Sequence, residues 1–176
     1  MHPMVRLLIV CVLFLCIGSA VVVALAADSA NERAIAAAEA RWRAHGFVHY
    51  VMTLEELNCT VEVEVADERV VRVTQLERCQ RDGRTVEDLF AVARRDGDTG
   101  MRCITLGCAC DDRLSVESAF HPLLGYPTRL YIRIAARPNW WHPDAWRYLL
   151  THGRPPACAM MVGDKLLRVV DLRPLP

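Results

Sequence analysis

From Leu7 to Ala27 the chain carries no charged side chain; Leu, Ile, Val, Phe and Ala fill these 21 positions, interrupted only by Cys11, Cys16, Gly18 and Ser19. A run of this length is enough to cross a bilayer. Arg6 precedes it and Asp28 comes after it, so the expected orientation keeps the N-terminal tail in the cytoplasm and exports everything beyond Asp28. Ala24-Leu25-Ala26 fits the small-residue pattern of signal-peptidase cleavage, whereas the run is longer than the roughly 7–15 residues of an ordinary signal core. Residues 1–27 therefore read as a signal peptide or a transmembrane anchor, with the membrane engaged through residues 7–27 if they are uncleaved. Bulky Phe14-Leu15 before Cys16 argues against lipidation.

Residues 28–176 make up one domain's worth of chain. At 53% hydrophobic the protein has material for a packed core, which excludes a disordered or collagen-like chain. Its 21 basic and 21 acidic groups cancel, which argues against a nucleic-acid role driven by phosphate neutralisation. Lys165 is the only lysine; the other basic residues are arginines, which favour planar pairing with carboxylates.

Six cysteines lie in the exported part: Cys59, Cys79, Cys103, Cys108, Cys110 and Cys158. An even number in an oxidising compartment predicts cystines. Folding a hairpin of Val61–Val65 and Val70–Val73 about Ala66-Asp67-Glu68-Arg69 brings Cys79 toward Cys59, so these two are expected to pair. Cys158 then pairs with one of Cys103, Cys108 or Cys110, and the remaining two close a small loop. A zinc site made of these last four fits less well, because Cys108-Ala109-Cys110 is not a Cys-x-x-Cys knuckle and Cys158 stands alone.

Ser29 and Glu32 are spaced as a capping box, and Ile35, Ala38 and Trp42 form one face of a helix closing near Gly46. Phe47 to Leu57 alternates as a strand, and the hairpin comes next. Thr85, with Asp88 three residues on, caps a second helix whose buried stripe is Val86, Leu89, Phe90 and Val92 or Ala93. Met101–Leu106, Leu114–Phe120 and Thr128–Ile134 read as strands, and Pro143 opens a short helix ending near Leu150. Ala159–Val162 and Leu166–Leu172 read as a terminal hairpin about Gly163-Asp164. The expected class is α+β: an antiparallel sheet packed by helices on one face, preceded by the N-terminal transmembrane or signal helix.

Ala40-Arg41-Trp42, Tyr50, Cys59 with its Val-rich hairpin, the stretch from Arg84 to Phe90 (RTVEDLF) and that from Leu124 to Leu130 (LGYPTRL) occur in a familiar order. In these the chain resembles an uncharacterised bacterial exported domain, domain-of-unknown-function family 6174, over about Arg41 to Ile134 and the closing strand near Val169 to Leu175. The resemblance implies a small secreted or membrane-tethered domain of antiparallel sheet and helices, with no activity to carry over. Relative to that pattern the segments Cys103 to Cys110 and Asn139 to Cys158 look like insertions. Ala119-Phe120-His121-Pro122 replaces an acidic Tyr-Asp-Pro turn.

No residue is assigned a catalytic role: Ser115 and Ser118 lack a nucleophile elbow, and no Gly-rich phosphate cradle occurs. The candidate binding residues are Trp140, Trp141 and His142, in an aromatic stretch suited to a sugar, a partner or the bilayer interface, and Tyr126 in the Gly125-Tyr126-Pro127 turn. The turn reads first as structural. His121, His142 and His152 have no metal-binding spacing, and neither metal nor cofactor is expected. The resulting expectation is an extracytoplasmic, membrane-anchored or secreted module that binds an envelope protein or ligand without catalysis. The alternative is a small metal-binding protein or hydrolase using Cys103–Cys110 with His121, Asp111 or Asp112.

Overall fold

A computed structural model describes residues 30–76, 81–97, 103, 106–159 and 163–176. The apolar run, Ser29 and Cys79 lie outside the described residues, and among those described no helix is long and apolar enough to cross a membrane. The protein is α+β. Helix α1 covers residues 30–45 and buries Ile35, Ala38 and Trp42, the stripe the spacing predicts. A division between two compact units falls inside it, and the second unit, Ala38–Pro176, contains the whole of the sheet.

Six strands make one antiparallel sheet: β1 His49–Glu56, β2 Cys59–Ala66, β3 Arg69–Gln75, β4 Cys110–Phe120, β5 Pro127–Pro138 and β6 Lys165–Pro174. Their order is β3-β2-β1-β6-β5-β4. Two hairpins are closed by two-residue turns, Leu57-Asn58 and Asp67-Glu68, with all four residues at positive φ (51°, 62°, 50° and 59°). That backbone matches the right-handed twist of the flanking strands, which is why such tight turns hold a hairpin in register.

Alternation sorts the sheet into two faces. Tyr50 stands opposite Val65, Met52 opposite Val63 and Leu54 opposite Val61, and all six are buried. Across β6 the same face continues through Leu172, Val169 and Leu167 to Leu130 of β5. The opposite face carries charges in cross-strand pairs: Arg173 with Glu62, Arg168 with Glu55, Arg133 with Glu117, and Glu64 between Arg72 and His49. Exposed pairs each contribute at most about 1 kcal/mol. Stability therefore rests on the apolar face.

Helix α2, Val86–Ala93, begins with the expected capping box: the Asp88 amide donates to Thr85 Oγ1 and the Thr85 amide to Asp88 Oδ2. It buries Val86, Leu89, Phe90 and Ala93 and packs on β4 and β5. Trp42 of α1 meets Tyr50 edge-on at 5.3 Å and donates from its indole to Glu87. Gly125, at φ +85°, lies so close under α1 that a Cβ there would come within 2.2 Å of the Ala38 carbonyl. The turn from His121 to Pro127 is thus a packing joint. His121 Nδ1 accepts the Leu124 amide within it.

One expectation is corrected. Cys103 and Leu106 have φ of 56° and 53°, and residues 106–109 form turns, so at its described positions the Met101–Leu106 strand is absent. Of the first strand of the expected terminal hairpin, residues 160–162 lie outside the described residues and Ala159 is not in a strand, while β6 pairs with β1 and β5. Asp164, expected as a turn residue, instead accepts the Tyr131 hydroxyl at 2.6 Å and the Ile134 amide at 3.3 Å, which ties the entry of β6 to β5.

Candidate functional site

Two surfaces stand out, at different places on the sheet. The first is an arm formed by residues 139–158 between β5 and the approach to β6. Helix α3, Pro143–His152, runs along it, with Pro143 in the first turn, His142 as N-cap and Gly153 left-handed at the C-cap. The arm is fastened at its base: the Asn139 amide donates to the Ala109 carbonyl, and Cys110 is bonded to Cys158. Cys103 is bonded to Cys108, so the expected scheme of one long-range pair and one small loop is observed. Cys59 is also in a disulfide; its expected partner Cys79 lies outside the described residues. The two segments expected as insertions therefore pack on each other.

Asp144 is the joint between them. Its Oδ2 accepts the Cys108 amide at 3.1 Å and its Oδ1 pairs with Arg147 at 2.7 Å. The Cys108 amide, helped by His142 and Arg147, holds the Asp144 carboxyl below the ordinary aspartate range. Cys108, His142 and Asp144 offer potential ligand atoms within 4.8 Å of one another. Most of that donor set is already committed: the Cys108 sulfur is in a disulfide, His142 Nδ1 accepts the Asp144 amide, and both Asp144 oxygens have partners. The cluster works as a cap and clasp, and its chemistry does not favour a cation.

Above the clasp the arm is apolar and open. Trp141 is fully exposed, Leu150 is 84% exposed and Trp146 about half. Trp146 and Leu150 are four residues apart on α3 and share a face. Trp140 rests against Trp146 at 5.3 Å and accepts its indole N–H through a backbone carbonyl. Of the residues singled out from sequence, Trp140, Trp141 and His142 come together here. Tyr126 does not: it is buried, stacks on His121 at 4.9 Å and meets Trp42 edge-on. It belongs to the far end of the β4–β5 hairpin, roughly 35 Å of strand from the arm.

The second surface is a groove of about 380 Å³ on the apolar face of the sheet. Leu114, Val116, Ile132, Ile134 and Leu167 make its floor, and Val92 and Arg95 of α2 and its C-terminal end make one wall. Strand alternation places Asp112 and Glu56 on the same inward phase as these apolar residues, at opposite ends. Asp112 is only 4% exposed and its Oδ1 has no hydrogen-bond partner, while Glu56 is loosely approached by Arg84 at 4.0 Å. The register sets the two carboxylates three side-chain rows apart, roughly 20 Å of strand. A glycosidase pair needs about 5–10 Å, so the two are not one. His121 lies at the distant turn, and no nucleophile stands between these acids among the described residues.

No family model matches the chain, and neither a curated protein nor a solved structure matches it. The functional reading therefore rests on these two surfaces.

Proposed function

We propose that the chain is an extracytoplasmic, non-catalytic binding module, held together by disulfides and associated with the cell envelope through its aromatic arm. Trp141 carries this reading. A fully exposed tryptophan, on a stapled arm that also displays Trp146 and Leu150, is an apolar surface that a solitary domain gains nothing by displaying. Covering one such ring removes some 150–250 Å² from water, on the order of 4 kcal/mol of gross driving force. Trp also suits a contact that is apolar on one side and wet on the other. Export is supported by the Leu7–Ala27 run and by the cystines, which persist in oxidising compartments.

The test is a photo-crosslinking residue placed at 141 in the full chain, expressed in its native envelope. A crosslink to envelope lipid or protein that is lost when Trp146 and Leu150 are replaced by Glu supports the proposal. An arm that stays uncrosslinked, on a chain recovered from the cytosol with its thiols reduced, overturns it.

A further inference from the structure

The groove under α2 carries its own chemistry, and its Asp112 end lies two residues along β4 from Cys110, where the arm is fastened. We propose that it is a binding site for a short apolar peptide with free termini, its ammonium on Asp112 and its carboxylate on Lys165.

The first support is Asp112. A buried oxygen that has lost water and gained no donor is costly, more so on a carboxylate, and the cost is relieved by a ligand that brings an N–H donor. Asp112 meets that condition, and it lines the groove. An ammonium is the donor that gains most at such a site, because hydrogen bonds between charged groups are the strong ones. Of the groove's basic side chains, Arg84 faces Glu56 at one end and Arg95 already has a partner of its own. The Lys165 side chain makes no hydrogen bond or ion pair among the described residues and is only partly exposed. An anion from the same ligand would complete it.

Register supplies the length. Lys165 stands opposite Ile132, and Ile132 opposite Val116, which is four residues along β4 from Asp112. Four residues along and two strands across separate the two Cα positions by roughly 16 Å. Allowing for the reach of the Lys165 side chain leaves about 10 Å, the span of an extended tripeptide. Between the two charges the floor is Leu114, Val116, Ile132 and Ile134, so the ligand's own side chains should be apolar. The volume of about 380 Å³ is within the range of small-ligand sites.

The test uses the disulfide-intact protein and the tripeptide Leu-Ala-Leu, with titration calorimetry and methyl NMR. Wild type should bind the free peptide at least about tenfold more tightly than its N-acetylated form, and more tightly than its C-terminal amide. In Asp112→Asn the preference for the free amine should vanish, and in Lys165→Met the preference for the free carboxylate. Val92→Trp, which fills the groove from α2, should abolish binding while the arm's NMR signals stay in place. Absence of free-peptide binding to wild type would overturn the proposal. So would an unchanged amine preference in a folded Asp112→Asn, or a simple alkylamine that binds as well as the peptide. None of these outcomes touches the arm, whose crosslink is scored separately.

Discussion

The Tyr50 hydroxyl accepts the backbone N–H of Val86 at 2.9 Å, so the middle of the sheet caps the first turn of α2. Tyr50 is 2% exposed and its burial pushes the phenol well above the ordinary tyrosine range, so it remains a neutral hydroxyl throughout the accessible pH range. Tyr50→Phe keeps the ring against Trp42 but leaves a helix N–H without a partner. We expect a loss of about 1–3 kcal/mol in urea unfolding, with the folded-state fluorescence of Trp42 little changed.

Gly125 gives a steeper outcome. Alanine there must adopt φ near +85° and push its Cβ into the Ala38 carbonyl. Gly125→Ala should cost at least about 2 kcal/mol, whereas Gly163→Ala, with open space around it, should be nearly neutral. Thermal melts of the two variants side by side check this.

The two described cystines should differ in weight. Cys110–Cys158 closes a separation of 48 residues and Cys103–Cys108 one of five. Loop-closure entropy assigns about 4 kcal/mol to the first and about 2 kcal/mol to the second. Replacing Cys110 and Cys158 with Ala should lower the unfolding midpoint far more than replacing Cys103 and Cys108. It should also expose the arm to proteolysis near α3.

Acid should release the arm through Asp144. Its pKa is depressed in the folded protein, so its contribution is fully present above the ordinary aspartate value and is lost as pH falls through the lower folded value. The clasp should therefore open only below about pH 4. Trp140 and Trp146 fluorescence measured against pH should show this step, and Asp144→Asn should remove it.

What can be read from the chain alone is local. The capping box of α2, Pro143 at the start of α3 and the stripe Ile35, Ala38, Trp42 all rest on neighbours within a turn or two, and each is where the spacing puts it. The partner of a strand is a different matter. Gly163-Asp164 has the composition of a hairpin turn, but Asp164 is occupied by Tyr131 and Ile134 from another strand, and nothing near Asp164 in sequence announces them. The groove escapes for the same reason: Glu56, Asp112 and Lys165 come from β1, β4 and β6. A signal is present nonetheless. Asp112 falls on the same phase as Leu114 and Val116, and Glu56 on that of Met52 and Leu54, so each is an acid at an inward position of an alternating strand. Motif and spacing alone bring Asp112 forward only as part of the metal or hydrolase alternative.

The place of β6 bears on how the molecule is made. β1, β2 and β3 form one meander and β4 with β5 another, and the strand that unites them is Lys165–Pro174. On a ribosome both pieces emerge before their connector, each with an unfilled hydrogen-bonding flank. A premature stop before codon 165 would yield two half-sheets with nothing to zip them, and the groove, whose floor crosses that seam, would never exist.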